Sequence, residues 1–431
     1  MSETAPKSGI TRVGFVSTRI AGTDGVSLEI HKWTEVLSRM GYDCYFICGH
    51  SDRDPKRTFF IPEANFGHPL IQEINRKCFG RYRRVRQMSE LIHSCARDIK
   101  NRLYDAMERF KLDLLIAENA LTIPMNIPLG EALTEMLLET LLPCIAHHHD
   151  FAWERERFNV NAVGDYIAAN FPPRLQQIQH VVINTVAGRE FSRRTGLPYR
   201  IIPNVMDFAH PPTTDDYAAD FRRTIGLADD DLLILQPTRI VPRKGIEHSI
   251  ELVRRLENPK AKLVISHHSG DEGPEYLQRL RDYAAMLGVD VIFAGNSIGH
   301  HRGTAEDGKK RYTIWDVYPH ADLVAYPSSY EGFGNAFLEA VYYRKPIFCN
   351  RYAIYRSDIE PYGFRAAEMD GFITQQTVAD VRRILGDADY RREIVEHNER
   401  IGREFFSYDR VEGELRGLLT SITTQPKTES L

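Results

Sequence analysis

The chain has 431 residues, 42% of them hydrophobic and 26% charged, which at roughly 100–200 residues per domain predicts two domains or three and excludes a disordered, collagenous or disulfide-scaffold protein. A formal charge of -4, from 55 basic and 59 acidic residues, offers nucleic acid or an anionic membrane no bulk attraction. No apolar run approaches the roughly 18–20 residues of a membrane span, and the polar residues 1–10 lack the apolar centre of a signal peptide.

Short β-branched runs recur between longer amphipathic stretches. They fall at residues 13–17, 45–48, 114–117, 144–146 and 181–184, then at 232–236, 262–265, 291–294, 323–326 and 346–349. Such runs read as buried parallel strands joined by crossover helices. Two series in succession predict an α/β protein of two doubly wound, Rossmann-like domains facing each other across a cleft. Prolines 203, 211 and 212 place the linker within residues 201–216. The expected division is 1–202, 203–405 and a terminal segment 406–431, whose residues 408–422 form a helix ahead of a polar tail. The six cysteines are scattered without C-x-x-C pairs and read as buried thiols of a reducing, cytoplasmic compartment.

In the first series, a glycine turn at residues 20–29, I-A-G-T-D-G-V-S-L-E, follows the opening strand. It is not a G-x-G-x-x-G dinucleotide fingerprint, and none occurs elsewhere, which argues against a nicotinamide dehydrogenase. Glu118 and Asn119 close the 114–117 strand and are candidate substrate contacts. After the 144–146 strand comes A-H-H-H-D-F-A-W-E-R, in which His147 and His149 would share one side. That pattern admits a metal ion, but no second ligand cluster has partner spacing, so no metal is expected. His149 beside Asp150, with Trp153 as an aromatic wall, suits a ligand cleft better. The basic run at residues 76–86, R-K-C-F-G-R-Y-R-R-V-R, could touch an anionic ligand, although a solvated or acid-paired helix face is the simpler expectation.

The second series holds Q-P-T-R-I-V-P-R-K-G-I-E at 236–247. Arg239, closing a strand, and Lys244, opening the next helix with Gly245, could neutralise a diphosphate without a metal ion. At 328–340, S-S-Y-E-G-F-G-N-A-F-L-E-A leads from the 323–326 strand into a helix near Asn335. Gly332 and Gly334 let backbone approach a ligand, and the helix start aims N–H groups at it. Glu331 and Glu339 flank that turn and could each hold a hydroxyl-rich group. Each segment also has a plain structural reading, as a solvated loop or packing turn.

Together, R-x4-K at Arg239 and Lys244, G-D-E-G-P-E-Y at 270–276, and E-G-F-G-N-A-F-L-E-A, with the glycine turn and His149–Asp150 upstream, resemble glycosyltransferase family 4, retaining enzymes of the GT-B fold. The resemblance covers nearly the whole chain. It implies that Arg239 and Lys244 bind the donor diphosphate, Glu331 the sugar hydroxyls and Glu339 the nucleotide ribose. Backbone of Gly332, Phe333, Gly334, Asn335 and Ala336 would line the donor, with His149 by the reaction centre. Gly22 and Gly25 would form the loop at the phosphate or acceptor, and the last helix would cross back to the first domain.

Asp24 stands where the family usually has glycine, and is an acceptor-contact candidate with Gly22, Glu118, Asn119, Asp150 and Trp153. Val205 replaces another usual glycine in the linker. The first-domain segments are similar to enzymes that glycosylate a small acceptor such as glucosylglycerate to make a compatible solute. The donor would be a nucleotide diphosphate sugar, GDP-mannose or UDP-glucose, with no cofactor or metal required. No nucleic-acid or integral-membrane partner is expected, and a homo-oligomer is left open. The other readings are a disaccharide phosphorylase of the same fold and a non-catalytic sugar-nucleotide-binding protein.

Overall fold

The computed structural model describes residues 9–22, 24–213, 215–267, 274–304 and 308–424. The chain forms two compact units. The first runs to Asn204 and is completed by the segment from Tyr408 onward, and the second is Val205–Ser407.

The first unit is built on seven strands, β1 (Arg12–Val16), β2 (Asp43–Cys48), β3 (Thr58–Phe60), β4 (Leu114–Glu118), β5 (Cys144–His148), β6 (Ile178–Val182) and β7 (Arg200–Ile201). They lie in the order β3-β2-β1-β4-β5-β6-β7, all parallel. Val13, Phe15, Ile116, Ala117, Ile145 and Ala146 are buried, as expected of strands covered on both faces. The helix Tyr408–Thr424 packs here on the helix Gly25–Arg39. Tyr408 donates its hydroxyl to Glu35 at 2.9 Å, and Val411, Leu415, Leu418 and Leu419 are buried.

The second unit carries β8 (Leu232–Gln236), β9 (Ala261–Ile265), β10 (Val291–Phe293), the hairpin β11 (Gly303–Thr304) and β12 (Lys310–Arg311), then β13 (Leu323–Tyr326), β14 (Ile347–Asn350) and β15 (Ala367–Met369). Its main sheet is parallel in the order β10-β9-β8-β13-β14-β15. In each sheet one pair of neighbours, β1 with β4 and β8 with β13, marks the point where the strand order reverses. Loops leaving the carboxyl ends of such pairs diverge and open a crevice where ligands bind in open α/β sheets.

Several boundaries differ from the sequence reading. β5 continues through His147 and His148, because pairing with β4 on one side and β6 on the other outweighs the weak strand preference of histidine. β6 ends at Val182, and Asn184 instead caps the helix Thr185–Thr195, accepting from Ala187 N at 2.7 Å. β8 stops at Gln236, so Arg239 lies in the loop beyond it. Lys244 ends a 3-10 turn, Pro242–Lys244, and the helix starts at Ile246. Gly245 sits between them at φ 59, where an added Cβ would lie 2.5 Å from the Pro327 carbonyl oxygen. The basic run is not one helix face: the helix Pro69–Cys78 ends within it and the helix Arg86–Phe110 begins at its close. Arg84, between them, forks onto Asp165 and donates to Ala162 O.

Candidate functional site

Two groups of side chains gather at the two strand-order reversals, one in each unit. In the second unit, the loop after β8 and the loop after β13 are tied together by backbone and charge. Ser329 N donates to Arg243 O at 2.9 Å, and the Arg243 guanidinium donates to Tyr330 O at 3.2 Å and to Glu331 Oε2 at 3.0 Å. Lys244 Nζ donates to Glu331 Oε1 and lies 5.5 Å from the centre of the Tyr326 ring.

Lys244 is 9% and Glu331 7% exposed, so this is a buried ion pair. Burial lowers the Lys244 pKa below its ordinary value, with Glu331 opposing. Burial pushes the Glu331 carboxyl up, but the charges of Lys244 and Arg243 outweigh it and hold the group below the usual range. Arg243 had no part in the sequence reading, since its alternation with Arg239 and Lys244 gave no reason to prefer it. Arg239 is exposed and has no ion-pair partner among the described residues.

Beyond Glu331 the chain turns through Gly332 and Phe333 to Gly334. Gly334 has φ 144 and its added Cβ would meet the Tyr352 hydroxyl at 2.3 Å. Tyr352 donates that hydroxyl to Phe333 O at 2.9 Å, while Asn350 Nδ2 donates to Ser328 O at 3.0 Å. The loop is thus held from behind by the segment that ends β14. The helix Asn335–Tyr342 starts there with no side-chain cap on its N-terminal N–H groups. Ala336 is buried in its first turn, and Glu339, one turn on, accepts from the Tyr318 hydroxyl at 2.7 Å. The segment 270–273 lies outside the described residues, as does His268; the helix that follows starts at Pro274.

In the first unit, Glu118 at the end of β4 is fully buried between two imidazoles. His147 Nδ1 lies 3.2 and 3.0 Å from its two carboxylate oxygens, and His149 Nε2 lies 3.0 Å from Oε2. Trp33 stacks on His147, ring centroids 4.2 Å apart. Asn119, at φ 59, takes a left-handed turn that binds the two strand ends together. Its N–H donates to His147 O at 3.0 Å, its Oδ1 accepts from His149 N at 3.1 Å, and its Nδ2 donates to Asp150 at 2.8 Å.

Burial opposes ionisation of Glu118, but both imidazoles bring its pKa to about 2. Burial lowers His147 below its ordinary value. His149 feels the same burial, yet the Glu118 hydrogen bond and charge raise it above 6.5. Burial thus favours the neutral form of His147, while the Glu118 carboxylate favours the protonated form of His149.

The same three residues form a candidate ligand set for a metal ion. Glu118 is the third ligand that spacing alone did not reveal, and one ligand atom from each lies within 4.8 Å of the others. They could hold a divalent ion only by trading away the hydrogen bonds just described.

A cavity of about 160 Å³ adjoins this cluster, lined among others by Arg19, Asp24, Phe66, Glu118 and Asn119. Asp24 caps the helix Gly25–Arg39 through Ser27 N, at 3.1 Å, and pairs with Arg19 at 3.0 Å. A carboxylate therefore already takes the helix start at Gly25. Gly22, at φ 75, donates its N–H to Asp52 at 2.8 Å. Trp153 departs from expectation. Its ring stacks on Phe151 at 4.4 Å and under the Arg194 guanidinium at 5.1 Å, in an aromatic cluster with Phe191. No helix among the described residues is long and apolar enough to cross a membrane.

Residues 218–400 match the family Glycosyl transferases group 1. Mannosylglucosylglycerate synthase of Thermotoga maritima is 30% identical over 434 residues, which cover 93% of this chain and 98% of that protein. The Petrotoga mobilis mannosylglucosylglycerate synthase is 32% identical over 83% of this chain and 86% of its own. Among solved structures, Anabaena HepE in complex with UDP and glucose gives a TM-score of 0.65 at 15% identity, covering 95% of this chain and 100% of that one. Sucrose-phosphate synthase from Thermosynechococcus elongatus gives 0.68 at 14% identity, covering 96% and 99%.

Proposed function

The chain belongs to the group 1 glycosyltransferases, and from that premise we propose that it moves a hexose from a nucleotide diphosphate sugar to a small hydroxylated acceptor with retention of anomeric configuration. GDP-mannose is the proposed donor and glucosylglycerate the proposed acceptor, by likeness to the two synthases whose names describe that product. The observation that carries the reading is the buried Lys244–Glu331–Arg243 cluster at the strand-order reversal of the second unit, inside the stretch matched by the family.

In this reading the cluster exchanges partners when the donor arrives. The diphosphate accepts hydrogen bonds from Lys244 and Arg243, with Arg239 and the start of the helix Asn335–Tyr342 adding positive potential. Glu331, released from its cations, accepts from sugar hydroxyls, and Glu339 accepts from the ribose. The diphosphate takes the place of the carboxylate beside Lys244 and Arg243, so the buried cation keeps a counter-charge, whose loss would cost about 3–5 kcal/mol, and Glu331 exchanges its cations for hydrogen bonds from the sugar hydroxyls. As the glycosidic bond breaks, negative charge grows on the leaving diphosphate. A preorganised cation there contributes about 3 kcal/mol to lowering the barrier.

His149, held in place by Glu118, would face the sugar as it gains oxocarbenium character. The acceptor hydroxyl attacks the same face the diphosphate leaves, and a departing phosphate oxygen takes its proton. No protein nucleophile and no metal ion enters the scheme.

The test is a thermal-shift series with GDP, UDP, ADP, their mannose and glucose conjugates and inorganic phosphate, followed by transfer assays with the selected donor. A ligand at about 100 times its Kd adds roughly 2.7 kcal/mol of stability. A shift confined to one nucleotide, with transfer to glucosylglycerate and an α-linked product from an α-linked donor, supports the reading. A shift with phosphate alone replaces it with a phosphorylase.

A further inference from the structure

Beside the His–Glu cavity of the first unit lies a second, of about 300 Å³, lined by Phe66, Asn75, Phe79, Met125, Arg157 and Phe158. Phe66 and Met125 line both cavities, so the two are neighbours along one surface. The volume is at the lower end of small-molecule sites, roughly 300–1,000 Å³, room enough for a monosaccharide glycoside.

The walls are built rather than incidental. Gly80 N donates to Val160 O at 2.7 Å and Ala162 N to Cys78 O at 2.8 Å. These bonds zip the end of one helix to the segment after Phe158 and set Phe79 edge-on to Phe158, centroids 4.8 Å apart.

Two polar groups in this aromatic lining have unspent capacity. Asn75 Nδ2 donates to Met125 O at 2.8 Å, which fixes the amide orientation, because only the NH2 end can meet a carbonyl. Its Oδ1 is buried and has no hydrogen-bond partner among the described residues. Arg157 lies over the Phe158 ring at 4.6 Å and has no ion-pair partner among the described residues. The nearby Asp150 is engaged by Arg155 at 2.7 Å. The Arg157 side chain is exposed beside the cavity, so an anion can reach its guanidinium. In the basic run that starts one residue after Asn75, Lys77, Arg84 and Arg86 pair with Glu73, Asp165 and Glu90, while Arg81 and Arg83 are exposed and add positive potential that favours anionic ligands.

We propose that this cavity is the acceptor subsite, and that it takes a hexoside whose aglycone carries a carboxylate. The sugar ring lies among the faces and edges of Phe66, Phe79 and Phe158. A ring hydroxyl donates to Asn75 Oδ1, and the carboxylate pairs with the Arg157 guanidinium. The inference rests on the transferase reading above and adds to it a residue that selects the charge of the acceptor.

The experiment compares glucosylglycerate with its neutral counterpart glucosylglycerol as acceptors for wild type, Arg157→Met and Arg157→Lys, with the donor KM measured in parallel. The expected result is at least a tenfold preference for glucosylglycerate in kcat/KM. Arg157→Met raises the glucosylglycerate KM at least tenfold while the glucosylglycerol and donor KM values stay within twofold of wild type. Arg157→Lys recovers part of the loss. An unchanged glucosylglycerate KM in Arg157→Met overturns the assignment, and so does an equal loss on both acceptors. Wild-type protein that binds and slowly hydrolyses a nucleotide sugar but uses neither acceptor also overturns the subsite, and leaves the transferase reading standing. Absence of any nucleotide-sugar binding overturns both.

Discussion

His149 reaches the buried Glu118 carboxylate through Nε2 at 3.0 Å, across 31 residues of sequence, so a group on the neighbouring strand orients its imidazole and favours its protonated form. The other ring nitrogen, Nδ1, is thereby the one left for a ligand. The proposed role of His149 beside the sugar depends on this relationship.

Replacing Glu118 should therefore invert the titration of His149. In the wild type the imidazole should titrate above 6.5, against its burial, because of Glu118. In Glu118→Gln the burial remains and the carboxylate charge is gone, so the midpoint should fall below 6.5. Histidine resonances followed from pH 5 to 9, assigned with His149→Asn, decide it, and a midpoint that does not move removes Glu118 from this role.

The same pair sets a pH dependence of stability with two limits. A histidine whose folded pKa is raised stabilises fully below its unfolded value near 6.5, and loses that contribution as pH rises through the folded value. Glu118, lowered to about 2, stabilises above its unfolded value near 4.5 and loses that contribution as pH falls toward 2. The stability advantage of wild type over Glu118→Gln should thus peak between about pH 4.5 and 6.5. Urea denaturation at pH 3, 5.5 and 8.5 measures it; an advantage that is flat over this range counts against the assignment.

At the donor cluster, Lys244→Ala and Glu331→Ala should each lower turnover at least a hundredfold, a loss of about 3 kcal/mol in transition-state stabilisation. Glu331→Ala strands the buried Lys244, and Lys244→Ala leaves Glu331 with Arg243 alone, so each should lower the melting temperature, the first by more. The double variant Lys244→Met with Glu331→Leu removes both charges, and should regain melting temperature without regaining turnover. Turnover near wild type in either single variant would break the site assignment.

Gly334→Ala places a Cβ at φ 144 and 2.3 Å from the Tyr352 hydroxyl. Backbone strain of about 1–3 kcal/mol should appear as a lower melting temperature and a raised donor KM. Adding Tyr352→Phe removes the clashing oxygen but leaves the φ penalty, so recovery should be partial. Full recovery would show that the clash alone mattered.

Exhaustive dialysis against a chelator should leave transfer activity unchanged. Activity lost on dialysis and restored by zinc or manganese would instead make Glu118, His147 and His149 an ion site, and metal analysis of Glu118→Gln would then show the ion gone.

The parts of this architecture legible in the sequence are those with a local cause. β8 is four apolar residues closed by Gln236 and β13 is four apolar residues, and both are read at their true bounds. β3, β7 and β15, two or three residues each, are too short to show a period of two. Histidines 147 and 148 join β5 through pairing with other strands, which no local preference predicts. Arg239, Lys244 and Glu331 stand out by residue type, whereas the contact between Lys244 and Glu331 spans 87 positions and brings in Arg243 unannounced. The packing of Trp153 on Phe151 and beside Phe191 was likewise not legible, because an aromatic after a strand has two faces to choose from and only its neighbours decide which.

The chain leaves the first unit at Asn204 and returns at Tyr408, so the second unit is an insertion within the first. During synthesis the second unit is complete in sequence while the first still lacks Val411, Leu415, Leu418 and Leu419. The helix Gly25–Arg39 lacks its partner until the segment from Tyr408 has been made. The usual order of maturation, N-terminal domain first, is thereby reversed: the second unit can close while the first waits for the helix Tyr408–Thr424. A chain stopped near Ser407 would carry an intact family domain and an unfinished partner.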